Sequence, residues 1–211
     1  MVLPLPQHLS TLPELLLARS RGSTSGLSFL DASGTLRKKL SYGDLFHKAS
    51  LCAHRLIAAG LQHGGRIVLS SFDDAESHII LFWACCLGKT PILFHFIFDD
   101  VSHELCVAGI VMCPVPPLHP DPARQTMLLE HLQSLFEGPV LVTSKKTALH
   151  VQALIPGLLT LVYDELPVTD CSGHAALVFP AHRPHPEDPV CLMLTSGSFL
   201  PIHVFLYFDY R

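Results

Sequence analysis

Pro139-Val-Leu-Val-Thr-Ser-Lys-Lys-Thr-Ala-Leu-His-Val-Gln-Ala-Leu-Ile-Pro-Gly-Leu-Leu-Thr-Leu-Val-Tyr163 decides the fold class. Its opening run, Pro139 to Thr143, is apolar and β-branched, the pattern of a buried strand. Lys145–Leu154 has the length and spacing of a helix, and Leu158–Tyr163 reads as another strand. Strand, helix and strand in succession form the unit of a parallel sheet, because parallel neighbours need a crossover connection.

The same alternation extends upstream. Ser41-Tyr-Gly-Asp44 reads as a helix start, with Leu45, Ala49, Cys52 and Leu56 at helical spacing and Gly60 as a stop. Arg66–Ser71, after Gly64-Gly65, reads as a short buried strand. Asp73 or Asp74 caps a second helix that carries Ile79, Ile80, Phe82 and Trp83. Asp121-Pro122 opens a third, with Asp at the cap and Pro where no N–H is needed. Met127, Leu128, Leu132 and Leu135 form its expected apolar face, and Gly138 ends it. The expected class is α/β, a mostly parallel sheet flanked by helices, with no internal repeat. Phe179–Pro189 reads as a Pro/His-rich loop. Val190–Leu194 is then an apolar strand that runs into Thr195-Ser-Gly-Ser198.

Composition narrows the function classes. The chain has 211 residues, 49% of them hydrophobic and 15% charged, with net charge −4 and mean hydropathy +0.39. Those values exclude a disordered chain and a basic nucleic-acid binder, so no nucleic-acid partner is expected. Seven Cys without a C-x-x-C pair argue against a disulfide framework or a structural zinc site. A reducing, cytoplasmic setting is the simpler expectation. Pro4, Pro6 and Pro13 break the approach to the short run Leu15-Leu16-Leu17, so no signal peptide is expected. Ile79–Phe98 is long enough for a bilayer span, but Lys89, Pro91 and His95 lie inside it. A small membrane-associated protein using this stretch is an alternative reading.

Few motifs carry chemistry. A strand ending in Ser/Thr/Gly can cradle phosphate, since hydroxyls and close backbone N–H groups meet its oxygens without a bulky side chain between. A polar turn is the bland reading of the same residues. Gly88-Lys89-Thr90 is not a Walker A loop, because Trp83 stands where its first Gly belongs. Gly22-Ser-Thr-Ser-Gly26 is no nucleophile elbow, because its middle residue is Thr24. His182 and His185, with Glu187 and Asp188, read as a solvated loop, and Cys85-Cys86 as core packing. No catalytic and no metal-ligating residue is assigned.

Taken together, the elements have a familiar order. The Tyr42 helix precedes the Gly64-Gly65 strand, then Phe72-Asp-Asp with Phe82-Trp83-Ala84. Cys113-Pro-Val-Pro-Pro-Leu-His-Pro120 and Leu192-Met-Leu-Thr-Ser-Gly-Ser198 follow. This succession resembles the N-terminal part of an adenylate-forming enzyme of the AMP-binding superfamily. More narrowly, it resembles the adenylation domains of fungal non-ribosomal-peptide-synthetase-like enzymes. The likeness covers residues 8–87 and 108–198, and Leu192–Ser198 matches the start of the family's phosphate loop.

The resemblance implies ligation in secondary metabolism. A carboxylic acid reacts with ATP to give an acyl-adenylate and pyrophosphate, and the acyl group passes to a carrier-protein or CoA thiol. By position, Thr195, Ser196, Gly197 and Ser198 inherit the phosphate contact, with Mg²⁺ balancing charge. The family loop continues with Thr-Gly and a Lys, whereas here Phe199-Leu-Pro follows. The expectation is a truncated domain, inactive alone, spanning residues 1–198, with 199–211 a tail outside the family pattern. A non-catalytic remnant or interaction module is the alternative.

Residues 88–107 are expected to be an aberrant insertion, translated from an intron. Joining Leu87 to Ala108 restores the family pattern. Gly88-Lys89 can be encoded as GGTAAG and Val107-Ala108 as GTAGC, which hold splice donor and acceptor signals.

Overall fold

A computed structural model describes residues 11–21, 24–61, 67–87, 110–115, 118–167 and 191. The first helix, α1 (Leu12–Ser20), starts with Pro13 in its first turn, and the Glu14 carboxylate accepts the Thr11 N–H at 3.2 Å. A hairpin follows, β1 (Gly26–Leu30) antiparallel to β2 (Leu36–Ser41). Asp31 closes its turn, accepting the backbone N–H groups of Ser33 and Thr35, each at 2.9 Å.

Helix α2 (Tyr42–Ala58) begins where the sequence indicated, with Ser41 Oγ accepting the Asp44 N–H at 3.0 Å. It stops because Gly60 takes φ +93°, a conformation costly for a residue with a Cβ. The Leu61 N–H then donates to the Leu56 carbonyl at 3.1 Å, closing the helix end.

The parallel sheet comes next. Its strands are β3 (Ile67–Ser71), β4 (Val111–Pro114), β5 (Val140–Thr143) and β6 (Thr160–Val162), in the order β4-β3-β5-β6. Every pairing is parallel, with Leu69 opposite Cys113 on one side and Leu141 on the other. Helix α3 (Ala75–Leu87) joins β3 to β4, α4 (Pro122–Leu135) joins β4 to β5, and α5 (Lys145–Leu154) joins β5 to β6. Beyond β4, Cys191 forms a parallel bridge with Met112, the described point of the expected strand 190–194.

Both faces of the sheet are covered. On one face, Leu45, Ala49, Leu56, Leu81 and Ala84 of α2 and α3 pack with Met112, Val140 and Val142. On the other, Leu129 and Leu132 of α4 and Val151 of α5 pack with Leu69, Cys113 and Leu141. The α/β class and the parallel sheet match the sequence reading.

Some details differ. β5 and β6 are shorter than Pro139–Thr143 and Leu158–Tyr163, because the ladder ends where the chain turns. The α4 face is rotated from the expected one. Gln125, Leu129 and Leu132 are its buried residues, while Met127 is 66% exposed. Apolar identity misled here, since Gln125 takes a core position through its hydrogen bond. The Ile79–Phe98 stretch contributes the second half of α3, whose Ile80, Leu81, Ala84, Cys85 and Leu87 are core. Among the described residues, no helix is long and apolar enough to cross a membrane.

Candidate functional site

The connections around the sheet define where a ligand can sit. From β3 the chain moves through α3 to β4 on one side. It then returns through α4 to β5 on the other side of β3. At such a reversal, neighbouring connections leave in opposite directions and open a crevice beyond the carboxyl ends of the strands. The residues at that edge are Ser71 and Phe72 after β3, Val115 after β4, Thr143 and Ser144 after β5, and Tyr163 after β6.

Polar groups at this edge are tied down from within. Thr143 Oγ1 donates to the Ser71 carbonyl, bridging β5 to β3. The Val115 N–H donates to the Ser70 carbonyl at 2.8 Å, carrying the ladder past β4. Ser144 caps α5, its Oγ accepting the Thr147 N–H at 3.4 Å. Phe72 stands edge-on between His78 and Tyr163, with ring centroids 5.2 and 5.4 Å away. Lys145 and Glu165 pair across the surface at 2.7 Å. Arg55 reaches from α2 to the far end, its Nη2 donating to the Leu166 carbonyl at 2.7 Å.

The described part of the turn from β4 into α4, from Leu118 on, is held by its own hydrogen bonds. The His119 N–H donates to Gln125 Oε1 at 2.7 Å, and Gln125 is fully buried. The Asp121 N–H donates to His119 Nδ1 at 3.0 Å, and Asp121 Oδ1 accepts the Ala123 N–H at 3.0 Å. Gln125 Nε2 has no hydrogen-bond partner among the described residues. Neither His119, quoted only within the proline-rich turn, nor Gln125, inside the helix opened by Asp121-Pro122, was singled out in the sequence.

Thiols near the site are inert. Burial, with the neighbouring Cys191 adding to it, pushes the Cys113 thiol up to about 12, and burial raises Cys191 as well. Such groups hold their protons at neutral pH and are poor nucleophiles. Cys85 and Cys86 are core residues, as expected. Among the described residues, no three His, Cys, Asp or Glu side chains gather where a metal ion could be held.

Thr195, Ser196, Gly197 and Ser198 lie outside the described residues, as do His182, His185 and the 88–107 segment. Cys191 is the described residue nearest in sequence to the expected phosphate loop, and a single parallel bridge joins it to Met112 of β4.

No protein-family model matches the chain. Atromentin synthetase invA5 of Paxillus involutus is 36% identical over 145 residues, covering 64% of this chain and 15% of that protein. Inactive atromentin synthetase invA3 of the same organism is 28% identical over 134 residues, covering 64% of this chain and 12% of that one. The chain thus spans about an eighth to a seventh of the length of these relatives. Among solved structures, the adenylation domain of a keto acid-selecting NRPS module bound to keto acyl adenylate superposes with TM-score 0.66 at 25% identity. That likeness covers 90% of this chain and 32% of the other. Fatty acyl-adenylate ligases from E. coli and L. pneumophila share the fold, with TM-score 0.66 at 23% identity, over 91% of this chain and 31% of theirs.

Proposed function

We propose that this chain, a relative of the adenylation domains of fungal non-ribosomal-peptide-synthetase-like enzymes, supplies the ATP-phosphate-holding part of an acid-activating domain. In the parent reaction a carboxylate oxygen attacks the α-phosphorus of ATP and pyrophosphate leaves. A carrier-protein or CoA thiol then takes the acyl group from the acyl-adenylate and AMP leaves. Thr195, Ser196, Gly197 and Ser198 hold the triphosphate. Their donors suit it: hydroxyls and unhindered backbone N–H groups meet phosphate oxygens. Hydroxyl oxygen is also a hard ligand of the kind Mg²⁺ accepts when phosphates fill much of its shell. The observation that carries the reading is the parallel bridge of Cys191 to Met112. It supports a strand at residues 190–194, directly before the Ser/Thr/Gly loop in the sequence.

The described domain within residues 1–198 carries this part. Residues 88–107 are an insertion between two core anchors, Leu87 and Ile110, which are 3% and 1% exposed, and 199–211 is a tail outside the domain. Five buried free cysteines, Cys52, Cys85, Cys86, Cys113 and Cys191, suit a reducing cytoplasm.

Calorimetric titration with MgATP tests the reading. The chain is expected to bind, and Ser196→Ala to weaken binding by roughly tenfold, as expected for a lost charge-assisted hydrogen bond. Equal binding by chain and variant, or none by either, overturns it. Acid-dependent ATP–pyrophosphate exchange is expected to be absent, because Phe199-Leu-Pro stands where the family loop continues with Thr-Gly and a Lys.

A second reading has its own support. The invA3, invA6 and invA4 relatives are each named as inactive. A chain that folds but binds no nucleotide would be a remnant of that kind.

A further inference from the structure

We propose that the outward face of the β1–β2 hairpin docks an acidic protein segment that carries an apolar residue at its centre.

The two faces of the hairpin differ. Leu27 and Phe29 of β1 and Leu40 of β2 pack against the core, and Lys38, on the same side, reaches Glu76 of α3 at 2.5 Å. Successive strand residues point to opposite sides, so Ser28 and Lys39, which are register partners, face outward. Leu30 pairs with Leu36 at the end of the ladder, and the two are 59% and 47% exposed. Arg37 has no register partner; it is the extra residue of a bulge, and it is exposed. An apolar pair is thus bordered by two cations, the anatomy of an interface with an apolar centre and a polar rim.

The charge on this face is uncompensated. The chain has net charge −4, yet residues 28–48 hold four cations, Arg37, Lys38, Lys39 and Lys48, against Asp31 and Asp44. Glu76 takes Lys38 and Lys48, at 2.5 and 2.8 Å. Asp31 is engaged by its own turn, accepting from Ser33 Oγ at 2.6 Å, and Asp44 accepts from Ser41 Oγ at 2.7 Å. Arg37 and Lys39 have no ion-pair partner among the described residues. A local positive field draws in a negative surface and sets its orientation.

Chemistry selects among the partners. A second copy of the hairpin brings Arg37, Lys38 and Lys39 against themselves, and charged edges of this kind block strand-to-strand association. A lipid surface meets Asp31 first, in the turn beyond Leu30 and Leu36. The Ser33 hydroxyl and the Thr35 N–H hold that carboxyl below its ordinary range, so it stays charged. Single-stranded nucleic acid stacks on aromatic rings, and Ser28, Leu30, Leu36, Arg37 and Lys39 supply none. An acidic segment sets carboxylates on Lys39 and on the planar fork of Arg37, and an apolar side chain on the leucine pair.

Fluorescence anisotropy on the 211-residue chain tests this, with a labelled, capped peptide of Glu residues around two Leu, and a counterpart with Ser for Leu. Arg37→Glu with Lys39→Glu is compared with Arg124→Glu with Lys146→Glu, which changes net charge equally on α4 and α5. Thermal melts establish that each variant is folded. Affinity for the Leu peptide is expected to fall roughly tenfold in the hairpin variant and not in the other. It is also expected to weaken as salt rises from about 50 to about 500 mM. Leu36→Ser is expected to weaken the Leu peptide severalfold and leave the Ser peptide unchanged. Unchanged binding in the folded hairpin variant, or an equal loss in both double variants, overturns the proposal. So does tighter binding of phosphatidylserine vesicles or a single-stranded oligonucleotide than of the peptide, or no peptide binding by the unaltered chain. None of these outcomes bears on the phosphate-loop reading.

Discussion

Leu132→Ala and Met127→Ala together test which side of α4 faces the sheet. The two positions are five residues apart, which at 3.6 residues per turn separates them by about 140° around the helix. Leu132 is 0% exposed, packed among Leu69, Cys113, Leu129, Leu141 and Val151. Trimming Leu to Ala removes three carbons, worth about 0.8 kcal/mol each in transfer, or roughly 2.4 kcal/mol. The cavity left behind raises the cost to about 3–4 kcal/mol, within the usual range for a buried leucine. With a urea slope near 2 kcal/mol per molar, the midpoint falls by about 1.5–2 M. Met127 is 66% exposed, so its truncation is expected to change stability by less than about 0.5 kcal/mol. Urea unfolding followed by far-ultraviolet circular dichroism measures both. A Met127→Ala midpoint lowered as far as that of Leu132→Ala would refute the assigned orientation of α4.

Arg55→Ala leaves the carbonyls of Leu166 and Pro167, which its Nε meets at 3.3 Å, without their guanidinium. A cost of about 1–2 kcal/mol is expected. Arg55→Lys should not rescue it, because an ammonium lacks the planar fork; full rescue in a thermal melt would show that charge alone suffices. Lys38 at 2.5 Å and Lys48 at 2.8 Å hold the Glu76 carboxyl below its ordinary range. A depressed carboxylate adds stability that is full above the ordinary Glu value and is lost as pH falls through the lowered one. Glu76→Gln is therefore expected to flatten the decline of the melting temperature between about pH 5 and pH 3, and an unchanged slope would count against the pairing. Deleting residues 88–107 so that Leu87 joins Ala108 should preserve a cooperative melt, and the mature transcript should lack those codons. A message that retains them in most copies ends the intron reading.

Two helices were legible from the chemistry of their starts, and Lys145–Leu154 from its length and spacing alone. Ser41 and Asp121-Pro122 marked their helices because side-chain oxygens there satisfy exposed N–H groups, and the structure holds both bonds. The β1–β2 hairpin was not legible. Arg37, Lys38 and Lys39 are all exposed on β2, so no alternation of apolar and polar residues announced a strand. Gln125 was missed for a related reason: a buried polar residue is explained only by its partner, and His119 is a partner by geometry. For the site, sequence offered the Ser/Thr/Gly loop by resemblance. The bridge from Met112 to Cys191 is a long-range pairing that no local pattern encodes.

The reach of Arg55 to Leu166 has a consequence for how the chain emerges during translation. Donor and acceptor are 111 residues apart. At roughly 5–20 residues per second, synthesis takes on the order of 6–20 s to deliver the carbonyl after the guanidinium has left the ribosome. Over that interval α2 is complete while the segment that anchors its end does not yet exist. The nascent intermediate therefore presents chaperones and proteases with an α2 whose C-terminal end is not yet held by these carbonyls. Slowing elongation between codons 56 and 166 lengthens that vulnerable period without altering the folded state.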